Sequence, residues 1–179
     1  MKTSLHFAAR SLPCLAVLIA TVTSAQPVND GAIKILNNVT NTITGDVTMG
    51  TNGAFTLLVL SDNALLTNSM NGIIGRNTTA KSNEVQLISA TAQWRMAGSL
   101  FVGRNGAISR LVVSNGGFVE NNSASLGNRT KSSNNLAVVA GSGSLWSNRN
   151  SLDIGGLGHD NQLIMSNGGW VVSRTVRLG

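Results

Sequence analysis

Leu111-Val112-Val113-Ser114-Asn115-Gly116-Gly117 recurs as Leu163-Ile164-Met165-Ser166-Asn167-Gly168-Gly169, at an offset of 52 residues. The same offset carries Trp94 onto Trp146, Ser99-Leu100 onto Ser151-Leu152, Gly103 onto Gly155 and Gly106 onto Gly158. It also carries Val119 onto Val171 and Leu126-Gly127 onto Leu178-Gly179. Residues 83–127 and 135–179 share 14 identities over 45 gap-free positions. Self-similarity at a fixed period is the sequence mark of a stacked-repeat architecture. A finer step lies inside the repeat. An aliphatic or Met residue precedes Gly at Met49-Gly50, Ile74-Gly75, Val102-Gly103, Leu126-Gly127, Ile154-Gly155 and Leu178-Gly179, with spacings of 25, 28, 24, 28 and 24. A segment of that length holds two or three short strands and cannot bury its own apolar face. Stacking such segments about 4.8 Å apart gives each strand a neighbour.

The composition agrees. Of 179 residues, 20 are Gly, 21 Asn and 20 Ser, about a third of the chain, which is turn chemistry. Charged residues make up 11%, far below the roughly 25% of an average soluble domain. Leu57 to Leu60, Val85 to Ile88, Leu111 to Val113, Leu136 to Ala140 and Leu163 to Met165 read as short strands. Ser99 to Val102 and Ser151 to Ile154 alternate in polarity, so Leu100, Val102, Leu152 and Ile154 are expected to point inward. Residues 171–178 read as one further strand. The expected fold is all-β, a right-handed parallel β-helix of about six coils in 24/28-residue alternation. Two coils make one 52-residue unit, so a strand near 136–140 should lie between Leu111 and Leu163.

Residues 1–25 read as a secretory leader. Lys2 and Arg10 precede an apolar run from Leu12 to Val22, and Thr23-Ser24-Ala25 offers small residues for cleavage before Gln26. The run is short for a membrane span, and no membrane span is expected in the mature chain. Residues 26–44 then form a lead-in or partial first coil, and 45–179 the solenoid repeats, which look truncated at the C-terminus. The sole cysteine, Cys14, lies in the leader. The basic residues of 26–179 stand mostly singly, which argues against a nucleic-acid surface.

Ser114-Asn-Gly-Gly, Ser166-Asn-Gly-Gly, Gly143-Ser-Leu-Trp146 and the hydrophobic-Gly steps resemble the repeat arrays of bacterial autotransporter-like passengers, secreted β-helix proteins. The resemblance covers about residues 45–179. It implies a secreted or surface-displayed structural segment, stalk-like or adhesin-like. The partners it suggests are cell-surface glycans or other repeat chains.

No residue is nominated as catalytic, cofactor-binding or metal-ligating, and no enzyme is expected. His159 is the only His after the leader and reads as an exposed turn residue. Gly155, Gly156, Gly158 and Asp160 fit a calcium nonapeptide, but Gln162 breaks its apolar position and the copy from Gly103 lacks the Asp. The acids Asp30, Asp46, Asp62, Glu84, Glu120, Asp153 and Asp160 do not recur in register, although Asp153 and Asp160 flank one turn. Four Asn-X-Ser/Thr sequons, at Asn38, Asn77, Asn121 and Asn128, are what an Asn- and Ser/Thr-rich chain produces by chance. Trp94 and Trp146 are either core or sugar-stacking platforms, and the alternative function is accordingly a carbohydrate-active or carbohydrate-binding β-helix. The C-terminal coil, with no recognisable cap, is expected to be an open edge prone to end-to-end self-association.

Overall fold

The computed structural model describes residues 24–179, all strand, turn and bend. Of the expected leader, residues 1–25, all but Ser24 and Ala25 lie outside the described residues. Three parallel sheets stack as a β-solenoid of about six turns. Sheet 1 holds β2 (Ile33–Asn37), β5 (Leu57–Ser61), β8 (Glu84–Leu87), β11 (Arg110–Ser114), β14 (Leu136–Ala140) and β17 (Gln162–Ser166). Sheet 2 holds β3 (Thr40–Ile43), β6 (Leu65–Asn68), β9 (Gln93–Met96), β12 (Phe118–Asn121), β15 (Leu145–Asn148) and β18 (Trp170–Val172). Sheet 3 holds β1 (Ser24–Ala25), β4 (Asp46–Met49), β7 (Gly72–Ile74), β10 (Leu100–Val102), β13 (Ala124–Leu126), β16 (Ser151–Ile154) and β19 (Thr175–Leu178). Each coil passes through the sheets in that order. Residues 26–44 already contribute β2 and β3, paired with β5 and β6.

The 52-residue unit is two coils. Leu111 pairs with Ala137, and Ala137 with Leu163. The 24/28 alternation holds in sheet 3, where Gly72, Leu100, Ala124, Leu152 and Val176 are rung partners. Sheet 1 keeps a different rhythm, because Glu84, Arg110, Leu136 and Gln162 follow one another at a uniform 26. The alternation therefore lives in the corners. The corner from sheet 3 to sheet 1 is long over 75–83 and 127–135 and short over 103–109 and 155–161.

Side-chain volume explains why the period is two coils. Strand side chains alternate, so each strand lends one or two residues to the interior. In sheet 2 the rung Leu66, Trp94, Val119, Trp146 alternates large and small. The sheet 1 column Leu58, Val85, Leu111, Ala137 answers with the opposite phase. Trp146 thus shares its coil with Ala137, and Val119 shares its coil with Leu111. All are fully buried. The ring of Trp94 lies against Gly72 of the previous coil, where a Cβ would sit 2.6 Å from it. Interiors are packed to crystal density, so large side chains in adjacent coils must take turns.

Corners explain the recurring motifs. Asn115 and Gly116, like Asn167 and Gly168, are consecutive left-handed residues with φ between 50° and 84°. Asn tolerates that region and Gly has no Cβ to oppose it. The second Gly of each motif meets a different demand, for space. A Cβ on Gly169 would lie 2.2 Å from the Val139 carbonyl oxygen, and one on Gly117 2.9 Å from the Leu87 side chain.

Leu100, Val102 and Leu152 are fully buried as expected, and Ile154, in the penultimate coil, is partly buried against the core. The reading of 171–178 as one strand is corrected. β18 ends at Val172 and β19 starts at Thr175. Between them the chain turns a corner, with Ser173 Oγ donating to the carbonyls of Asn150 (3.0 Å) and Thr175 (2.9 Å). A period-two pattern continues across a two-residue bend, so it does not reveal the corner.

Candidate functional site

Trp94 and Trp146 are core residues. Trp94 Nε1 donates to Asn68 Oδ1 at 3.0 Å, and Trp146 Nε1 to Asn121 Oδ1 at 2.8 Å. Both acceptors are buried one coil earlier, and their amide nitrogens are engaged too. Asn68 Nδ2 reaches the Met70 and Asn71 carbonyls, and Asn121 Nδ2 reaches Ser123 O and Asn148 Oδ1. A buried polar network that is fully satisfied fixes one register of the stack. The sugar-stacking alternative for these two residues is therefore replaced by packing. The third tryptophan is the exposed one. Trp170 is 67% exposed on the outer face of β18 and lines a hollow of about 310 Å³ with Leu145 and Val172. At the 52-residue offset Trp170 corresponds to Phe118, whose ring carries the Arg95 guanidinium at 5.0 Å.

Four of the seven carboxylates face cations in neighbouring coils. Asp46 meets Arg76 at 3.8 Å, Glu84 meets Arg110 at 3.4 Å, and Asp153 meets Arg177 at 3.4 Å. Glu120 lies between Arg95 (3.7 Å) and Arg149 (3.0 Å). Asp62 accepts from Asn37 Nδ2 at 3.0 Å. Asp160 faces His159, Oδ2 to Nδ1 at 2.7 Å, with both side chains largely exposed. Asp153 and Asp160, which flank one turn in sequence, are thus directed to different partners. Among the described residues no group of three or more His, Cys, Asp or Glu comes together.

Asp30 is held differently. Its carboxylate accepts the backbone N–H groups of Thr51, Asn52 and Gly53 at 2.8, 2.9 and 2.7 Å, and the Gln26 amide at 2.7 Å. Partial burial pushes its pKa up, but these hydrogen bonds to the charged form outweigh that and hold it below the ordinary 3.8. The charged form therefore stabilises the first coil at every pH above 3.8, and that contribution is lost as pH falls through the lower folded value. Asp30→Asn is expected to lower the Tm at about pH 6, with the difference shrinking as pH falls below the ordinary carboxylate value of 3.8. A Tm difference that does not depend on pH would contradict this.

Two features remain at the surface. The first is a groove of about 450 Å³ lined by Arg76, Asn77, Arg104, Asn105, Arg129 and Thr130. These residues belong to three consecutive corners from sheet 3 to sheet 1. The backbone ladder runs on past the strands, with Arg76 N–H to Gly50 O, Arg104 N–H to Gly75 O and Asn128 N–H to Gly103 O. Reading the basic residues one by one along the chain missed this grouping. Applying the coil offsets to the charges would have found it, since Arg76, Arg104 and Arg129 are spaced by 28 and 25. The second is an apolar hollow of about 540 Å³ on the last described coil that includes Ile154, Leu163, Met165, Val171, Val176 and Leu178.

The chain matches no protein-family model, no curated protein and no solved structure. No helix among the described residues is long and apolar enough to cross a membrane.

Proposed function

We propose that this chain is a structural repeat segment of a secreted or surface-displayed protein, a stalk or adhesin-like passenger of the autotransporter type. The observation that carries this reading is the use made of its side chains. The buried Trp and Asn side chains and most of the carboxylates, with the guanidinium groups they pair with, join one coil to the next. Coil-to-coil ladders of this kind give a stiff rod whose corners tolerate variation, which suits a spacer. The leader-like residues 1–25 supply the export route. The test is to express the whole chain in a secretion-competent bacterium and determine the N-terminus of the product. Export with cleavage next to Ala25 supports the reading; retention of an uncleaved chain in the cytoplasm overturns it.

Trp170 favours a second reading, a carbohydrate-binding β-helix. It is a large exposed ring beside a shallow apolar hollow, the form that stacks on sugar faces. Loss of glycan binding in Trp170→Ala, with the Tm unchanged, would support it.

End-to-end self-association of the described coils is a further part of the proposal. Among the described residues sheets 1 and 2 begin at β2 and β3 and finish at β17 and β18, so each end of the described stack presents a strand edge of the same direction. A second copy set head to tail would continue all the sheets and cover Leu163, Met165 and Val171, a heterologous contact that does not close. Light scattering of purified residues 26–179 should show mass rising with concentration. A strict monomer at high concentration would rule this out.

A further inference from the structure

We propose that the arginine-lined corner groove binds an acidic polysaccharide laid along the solenoid axis. This inference does not depend on where the chain is displayed. Three guanidinium groups come from three successive coils, and parallel strands stack about 4.8 Å apart, so the cations form a line rather than a cup. A line of cations suits anionic groups repeated along a chain better than a single small anion. Two of the three are held in place. Arg76 is tethered by Asp46 at 3.8 Å and Thr48 Oγ1 at 3.4 Å, and the Arg104 guanidinium lies 5.5 Å over the Phe101 ring. Arg104 and Arg129 have no carboxylate within salt-bridge distance among the described residues, so their charge is available.

The rest of the lining selects the class of polyanion. Asn77, Asn105 and Thr130 offer amide and hydroxyl groups, which hydrogen-bond sugar hydroxyls. Asn105 is oriented by donating to Arg76 O at 2.9 Å, and Asn77 by donating to Asn52 Oδ1 at 2.7 Å. No aromatic side chain lines the groove, and the neighbouring Phe101 ring is occupied by Arg104. Single-stranded nucleic acid relies on aromatic faces for base stacking, so a carbohydrate fits this surface better.

The test is a binding titration of the purified chain with a sulfated polysaccharide such as heparin, with neutral dextran and single-stranded oligothymidine as comparison ligands. Sulfated polysaccharide should bind with a steep salt dependence and dextran should not bind. The double variant Arg104→Gln/Arg129→Gln should weaken binding about tenfold or more and flatten the salt slope by roughly one unit per arginine. Arg174→Gln removes one positive charge from a different corner and should have little effect. Thermal unfolding checks that each variant is folded, since none of these side chains is buried. The proposal is overturned if the chain does not bind, if Arg174→Gln weakens binding as much per charge, or if oligothymidine binds as tightly as the sulfated polysaccharide.

Discussion

Replacing Trp146 with alanine is expected to unfold most of the population under conditions where the parent chain is folded. The ring is fully buried between Val119 and Val171 on adjacent rungs of sheet 2. Removing a buried Trp side chain typically costs about 3–5 kcal/mol, because the surroundings collapse only in part. A second loss adds to it. The buried Asn121 Oδ1 loses the Trp146 Nε1 donor, while its Nδ2 still donates to Ser123 O and Asn148 Oδ1. Leaving a buried polar atom short of a partner costs about 1–3 kcal/mol. Against a total stability of about 5–15 kcal/mol, the sum is most of the fold. Denaturant titration of parent, Trp146→Ala and Trp146→Phe checks the claim. Phenylalanine keeps most of the volume and removes the N–H, so it should fall between the other two. A Trp146→Ala loss below about 1 kcal/mol would mean that this ring is not packed in the core.

Gly106→Ala is expected to be nearly as damaging, and for a purely steric reason. A Cβ at this position would lie 2.0 Å from the Ala80 carbonyl oxygen and 3.0 Å from Gly75 Cα, both backbone atoms of the previous coil. Neither can rotate away, and the Gly106 N–H is itself bonded to Gly75 O at 3.1 Å. Relief requires the corner to shift away from its neighbour, which we put above about 3 kcal/mol, beyond ordinary overpacking. Gly158 repeats the arrangement two coils on, with a Cβ position 1.9 Å from Ser132 O. Gly156 is the matched control, because a Cβ there meets nothing within 4 Å. Gly156→Ala should leave stability unchanged or raise it by up to about 1 kcal/mol, since alanine restricts the unfolded chain. Equal Tm values for the Gly106 and Gly156 variants would show that the coils are not in contact at this corner.

Much of this architecture was legible without coordinates. Recurring Trp94 and Trp146, the Ser-Asn-Gly-Gly corners and the hydrophobic-Gly steps determined a stacked repeat of two coils per 52 residues. They do so because each motif answers a local demand, for a left-handed turn, a gap for a neighbouring backbone or a filled interior. The Gly steps fall where they were read, at the ends of β4, β7, β10, β13, β16 and β19. Local demands also set the alternating polarity that buries Leu100, Val102 and Leu152.

What only the tertiary structure decided concerns residues far apart in sequence that the stack makes neighbours. The recurrence of Trp94 and Trp146 favours packing over sugar stacking but leaves both open, because an isolated strand does not say which face its coil turns inward. The Asn68 and Asn121 acceptors lie 26 and 25 residues upstream of them, where no local pattern points. The ion pairs joining Asp46 to Arg76 and Glu120 to Arg149 span 30 and 29 residues. The arginines at 76, 104 and 129 are single charges in the sequence and one groove in the fold. Corner lengths that differ between sheets shift each column by its own amount. A single period read along the chain therefore locates the coils but not which side chains on their outer faces come together.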